Sequence, residues 1–175
     1  MLTRRALLVG AGAVASASAL AACATAPSTD GVTAKKPDQA PLHGLVDWNG
    51  GAVTVPKILG AVTIVDFWAS WCGPCRQAMR YMDQLYRTYK ADGLSMIGVC
   101  VDDDPQAGRR FWALERPHFQ VAWDPSGEVR ERFSVASLPT TVLFDPQGFL
   151  VQRSEGFDPA DHRLLEEQVH RLLRT

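Results

Sequence analysis

An α/β domain with a mixed β-sheet flanked by helices is the architecture this 175-residue chain predicts, and three observations predict it. Two apolar runs rich in β-branched residues, Val62 to Trp68 and Leu94 to Val101, have the composition of strands covered on both faces. A segment of helical character follows each of them, which makes strand–helix–strand units with parallel pairing. Near the C-terminus two short apolar runs flank Asp145-Pro146-Gln147-Gly148, a turn that makes the last two strands an antiparallel hairpin.

Taken in order, Leu45-Val46-Asp47-Trp48 and Ala52-Val53-Thr54-Val55 flank Asn49-Gly50-Gly51 and read as an N-terminal β-hairpin. Val62 to Trp68 is the first buried strand. From Pro74 to Tyr89 the apolar residues Met79, Met82, Leu85, Tyr86 and Tyr89 recur at helical spacing. Leu94 to Val101 is the second buried strand. Asp104-Pro105 pairs an N-cap with a proline at the first helical position and starts a helix to about Glu115. Phe119 to Trp123 is a short strand, Asp124-Pro125-Ser126-Gly127 a turn, and Glu128 to Phe133 a short helix. Thr140 to Phe144 and Phe149 to Arg153 form the closing hairpin. Asp158-Pro159 starts the last helix, whose apolar stripe is Leu164, Leu165, Val169, Leu172 and Leu173.

Apolar residues make up 46% of the chain and charged residues 21%, the balance of one folded domain with a sizeable core. Lys and Arg number 18 against 19 Asp and Glu, a formal net charge of −1. That excludes a nucleic-acid binder relying on bulk positive charge. Four cysteines are too few for a disulfide scaffold, so each needs its own account.

Residues 1–22 read as an export signal, with Arg4-Arg5 ahead of an Ala/Gly/Val/Leu run from Ala6 to Leu20. Leu20-Ala21-Ala22-Cys23 resembles a bacterial lipobox, in which the Cys23 sulfur takes a diacylglyceryl group. Thr3-Arg4-Arg5-Ala6-Leu7-Leu8 resembles a twin-arginine signal in part. The other readings are plain secretion and an uncleaved membrane anchor, for which Ala, Gly and Ser make the run weakly hydrophobic. Residues 23–41 carry Pro27, Pro37, Pro41 and Lys35-Lys36 without apolar periodicity and read as a tether, leaving residues 42–175 as the folded domain. Loss of residues 1–22 removes two Arg and no acid, moving the net charge from −1 to −3. The expected location is periplasmic or otherwise extracytoplasmic, lipid-anchored to a membrane, where thiols face oxidising conditions.

Trp71-Cys72-Gly73-Pro74-Cys75 lies between the first buried strand and the first helix. Two intervening residues bring the sulfurs into bonding range when a helix starts there. The helix N-terminus offers free N–H groups and partial positive charge, which stabilise a thiolate. Cysteines so placed titrate at roughly 3.5–7.5 rather than about 8.5. Cys72, the outer sulfur, is the expected nucleophile, and Cys75, one turn into the helix, the resolving thiol. A static disulfide or half of a zinc site are the alternatives. Zinc would need two further ligands, and Cys100 together with His43, His118, His162 and His170 is scattered. Cys100, among Met96, Ile97, Val99 and Val101, reads as an inert buried thiol, and the Asp102-Asp103-Asp104 run as helix capping. Asp66 interrupts an apolar strand. Burial would raise its pKa, and a raised pKa suits a proton acceptor for Cys75. An Asp facing water at a sheet edge is the plainer reading.

Val65-Asp66-Phe67-Trp68-Ala69-Ser70-Trp71-Cys72-Gly73-Pro74-Cys75 resembles the active-site segment of thioredoxin, and Ser137-Leu138-Pro139-Thr140-Thr141 the cis-proline segment of that superfamily. The central βα insertion between them, with the exported N-terminus, is similar to the TlpA/ResA branch of membrane-tethered thioredoxin-like proteins. The resemblance implies a thioredoxin fold over residues 42–175 and a thiol–disulfide oxidoreductase of the protein-disulfide reductase type. It implies no metal and no cofactor beyond a redox-active Cys72–Cys75 disulfide. Trp71, Gly73, Pro74, Leu138 and Pro139 would bind substrate, with the Leu138 backbone pairing to the client chain and Trp68 either a further apolar neighbour of the sulfurs or a core residue. Asp66 departs from TlpA/ResA relatives, which often carry Asn there. Gly73-Pro74 matches thioredoxin, whose potential is about −270 mV, so a reductant is expected.

The implied partners are protein disulfides and thiols, a membrane thiol donor of the CcdA/DsbD kind, and a membrane through the lipid on Cys23. The domain is expected to be a monomer. Clients of the implied type are cysteines of apocytochrome c or of copper-site proteins. Cytochrome-maturation relatives often carry Glu after the cis proline, where this chain has Thr140. Two rival readings are a thiol peroxidase and a copper or other metal-binding chaperone. The chaperone uses a wider Cys spacing and a His where Leu138-Pro139-Thr140 stands.

Overall fold

The computed structural model describes residues 42–56, 58 and 61–174, so the expected signal, tether and Cys23 lie outside the described residues. Five strands form one sheet: β1 (Thr63–Trp68), β2 (Ser95–Cys100), β3 (Gln120–Trp123), β4 (Thr140–Phe144) and β5 (Leu150–Glu155). Their order is β3-β2-β1-β4-β5, with β1, β2 and β3 mutually parallel and β4 and β5 antiparallel. This is the mixed sheet of a thioredoxin-like fold. The central place of β1 explains its composition, because every residue of it is buried.

The helices are α1 (Gly73–Tyr89), α2 (Pro105–Glu115), α3 (Glu128–Arg132) and α4 (Pro159–Leu172). The two Asp-Pro starts behave as their chemistry dictates. Asp104 and Asp158 are N-caps whose carboxylates accept the amides of Gln106 and Ala160, at 2.9 and 2.7 Å. α1 buries Cys75, Ala78, Met79, Met82 and Leu85, as its period predicts.

Trp68 stacks on Phe111 and Trp112 of α2 and meets Trp48 edge-on, whereas Phe67 on the opposite face packs on Phe133 after α3. α2 lies so close to β2 that a Cβ on Gly108 would stand 2.5 Å from Cys100 Sγ and 3.0 Å from the Trp48 ring.

Two expectations change in detail. The N-terminal hairpin is rudimentary. Asp47 Oδ1 accepts the amides of Asn49 and Gly51 to close the turn, but pairing is limited to the bridge Val46–Ala52. Val46 pairs instead with Trp123 as well, so this segment covers the β3 edge. In α4 the stripe holds except at one residue: Leu165 and Val169 are buried and Leu172 and Leu173 pack half-buried against the core, but Leu164 is 45% exposed and His162 is buried. The His162 ring takes the inward place, stacked on Tyr81 and tilted against Phe157.

Candidate active site

β1 delivers the chain to the C-terminal edge of the sheet, and four residues separate its end from the start of α1. A turn closed by the Cys72 amide on the Ala69 carbonyl makes this connection. Cys72 is the N-cap of α1, and its Sγ accepts the Cys75 amide at 3.2 Å. The two cysteines form a disulfide with a Cα–Cα distance of 5.3 Å. Cys72 is 6% exposed and Cys75 1%, so the first sulfur is the nearer to solvent. Trp71 is 69% exposed, and Gly73 and Pro74 are exposed beside it. The sulfur therefore sits where unpaired helix amides and the helix dipole favour negative charge, with apolar surface around it.

The β1–β4 register pairs Phe67 with Thr140, which sets Leu138-Pro139 beside the end of β1. The Leu138–Pro139 peptide is cis, as the sequence resemblance implies. Hydrogen bonds fix this loop from both sides. Thr140 Oγ1 donates to the Ser137 carbonyl at 2.7 Å, and the Gly156 amide donates to the Pro139 carbonyl at 2.7 Å. Ser137 Oγ donates to Glu155, which is itself paired with Arg153, and Arg153 donates to the carbonyls of Phe133 and Ser134. Leu138 is half-buried, while Ala136 and Ser137 are exposed.

Asp66 lies on the central strand, not at a sheet edge, and is 1% exposed. Its register partners are Gly98 on β2 and Thr141 on β4. Thr141 Oγ1 donates to Asp66 Oδ1 at 2.8 Å. Burial pushes the Asp66 carboxyl up to about 7, against the Thr141 hydrogen bond, which favours the ionised form.

Trp68 is fully buried and belongs to the core, so it adds nothing to the exposed surface at the sulfurs. Its Nε1 has no hydrogen-bond partner among the described residues. The acidic run also divides. Asp104 caps α2, but Asp102 is buried and accepts from Ser70 N at 2.9 Å, Ser70 Oγ at 2.9 Å and Cys100 Sγ at 3.2 Å. It thereby ties the end of β2 to the loop that carries Trp71 and Cys72. Burial drives the Cys100 thiol well above its ordinary pKa, in keeping with an inert thiol. Sequence reasoning missed Thr141 and Asp102. Thr141 was visible only as a hydroxyl in an apolar strand, and the partner of Asp102 lies 32 residues away.

The Redoxin family profile matches residues 29–169. The thiol-disulfide oxidoreductase ResA of Bacillus thuringiensis subsp. konkukian (strain 97-27) is 31% identical over 134 residues, 77% of this chain and 76% of the relative. ResA of Bacillus subtilis (strain 168) is 31% identical over 113 residues, 65% of this chain and 63% of that protein. Among solved structures, one assigned as thiol:disulfide interchange protein DsbE from Chlorobium tepidum superposes with a TM-score of 0.71 at 36% identity, covering 81% of this chain and 99% of that one. StoA from Bacillus subtilis shares the fold at 23% identity and a TM-score of 0.57, over 68% of this chain and 89% of that one.

Proposed function

The chain belongs to the Redoxin family and is a ResA-like thiol–disulfide oxidoreductase acting on protein thiols, and from that premise we propose that it is an exported, lipid-anchored reductant of client disulfides. The observation that carries the chemistry is the placement of Cys72 Sγ at the N-cap of α1, 3.2 Å from the Cys75 amide. In the reduced protein that position holds Cys72 as a thiolate. The thiolate attacks one sulfur of a client disulfide, forming a mixed disulfide and expelling the other client sulfur as a thiolate. The Cys75 thiol passes its proton to Asp66 and attacks Cys72 Sγ. This re-forms the Cys72–Cys75 bond and releases the second client sulfur. Two electrons have moved from the protein to the client. A donor dithiol returns them, in this reading from a membrane thiol transporter of the CcdA/DsbD kind.

Trp71, Gly73 and Pro74 form the exposed surface at the sulfurs, and Leu138-Pro139 offers backbone beside them for an extended client chain. The reductive direction rests on the Gly73-Pro74 dipeptide, and the extracytoplasmic, lipid-anchored location on residues 1–23. Clients of the assembly type, cysteines of apocytochrome c or of copper-site proteins, fit a monomeric reductant tethered at a membrane. The test is a Cys75→Ser trap. It freezes the client on Cys72 as a mixed disulfide that mass spectrometry identifies. Equal trapping by a Cys72→Ser protein with Cys75 intact would overturn the order of attack.

A further inference from the structure

Asp66 is enclosed on three sides by groups that differ sharply in what they offer a carboxyl. On β2 the facing residue is Gly98, which has no side chain. A Cβ there would meet Trp68 Nε1 at 3.0 Å and the Phe119 ring at 3.1 Å, so aromatic rings fill that side. Along β1, Ile64 and Trp68 flank it on the same face and are fully buried. On β4 the facing residue is Thr141, 4% exposed, whose hydroxyl donates to Oδ1 at 2.8 Å. α1, which follows β1 in the chain, opens with the Cys72–Cys75 pair, closed as a disulfide and uncharged. Among the described residues no charged side chain is close enough to shift the carboxyl, and the Thr141 hydroxyl is its one side-chain hydrogen-bond donor.

We infer that Thr141 is a positioning residue for the thiol–disulfide reaction, its hydroxyl fixing the Asp66 carboxylate and setting how readily that group takes and returns the Cys75 proton. This inference rests on the reading of Asp66 as proton acceptor. The physical reason is direct. A hydroxyl can donate to either form of the carboxyl, but the bond to the anion is the stronger one. Without it, burial alone governs the group and the proton is held more tightly. At neutral pH Asp66 is then occupied when Cys75 needs it empty. A rotating donor would not serve as well. Thr141 is held on a central part of β4, paired to β1 on one side and to Ser154 of β5 on the other.

The test compares Thr141→Val, which keeps the β-branched shape and loses the donor, with Thr141→Ser, which keeps the donor. The Asp66 carboxyl is titrated directly by carbon-13 NMR in the oxidised full-length chain, and client-disulfide reduction is timed from pH 5 to 9. Thr141→Val should raise the Asp66 midpoint by about one to two pH units, and Thr141→Ser should restore it to within a few tenths. The reduction rate at pH 7 should fall about fivefold or more in the Val protein and recover as pH rises, since a one-unit rise leaves about a tenth of the carboxyls ionised. An unchanged NMR midpoint in Thr141→Val overturns the inference. A moved midpoint with an unmoved rate profile upholds the hold of Thr141 on Asp66 and overturns the part given to Asp66 in the reaction.

Discussion

A carboxyl with a pKa raised to about 7 inside a central strand is a group the fold tolerates at a cost, and that value suits the proton transfer proposed for it. Asp66→Asn keeps the shape and the link to Thr141 but cannot take a proton. Replacing a general base costs about a hundredfold or more in the step it serves. We expect client reduction by this variant to slow by about that factor at pH 8, while Cys72 alkylates at the parent rate. Stopped-flow reduction and iodoacetamide trapping read the two effects separately, and a parent-like rate across pH 6–9 would remove Asp66 from the mechanism. Asp102 belongs to the same scale. Its carboxylate gathers three donors, two of them from Ser70. Asp102→Ala strands the Ser70 amide and should cost about 1–3 kcal/mol in urea unfolding, with faster amide exchange at Ser70 and Trp71 than at residues of α4.

At the scale of elements, the caps and periods did most of the work of prediction. Asp104-Pro105 and Asp158-Pro159 mark helix starts that the structure keeps to the residue. Val62 to Trp68 and Leu94 to Val101 exceed the observed strands by one or two residues at their ends. The dithiol was legible because all its parts are local: strand, turn, N-cap and second sulfur follow each other between Thr63 and Cys75. What stayed hidden depends on partners distant in sequence. Asp102 looks like one acid in a run until Ser70 is placed beside it, and Thr141 like an ordinary strand residue until the register sets it against Asp66. One residue of the α4 stripe, Leu164, departed for a different reason. A histidine ring stacked on Tyr81 occupies a place that hydropathy assigns to leucine. The corrected face makes a clear forecast: Leu165→Ala should cost about 2–5 kcal/mol, and Leu164→Ser should change stability by less than about 0.5 kcal/mol. Denaturant midpoints of the two variants decide it.

For the molecule as a whole, two buried titrating groups pull stability in opposite directions with pH. Asp66 binds its proton more tightly folded than unfolded, so its contribution is full below about pH 4. That contribution declines as pH rises toward about 7 and is gone above it. At about 1.4 kcal/mol per pH unit, the ionised carboxyl costs the fold on the order of 4 kcal/mol at pH 8. His162 behaves in the reverse sense, since burial holds its imidazole below the usual value against the pull of Asp161 and Asp158. Its contribution is complete above about pH 6.5 and fades as the medium turns acid. Asp66→Asn should therefore be more stable than the parent at pH 8 by a few kcal/mol, with the gap closing by pH 4. Urea titrations at both values check it, and an equal gap at each would show that ionisation is not the source. Such a variant would trade turnover for robustness, as strained reactive sites commonly do when relieved. Gly108 carries a further consequence. A single methyl at that position would press on Cys100, Trp48 and Asp102 together. Because Asp102 grips Ser70, the disturbance would travel to the sulfur-bearing loop. A lineage could thus lose its redox chemistry through one codon change in a helix that carries neither sulfur of the pair.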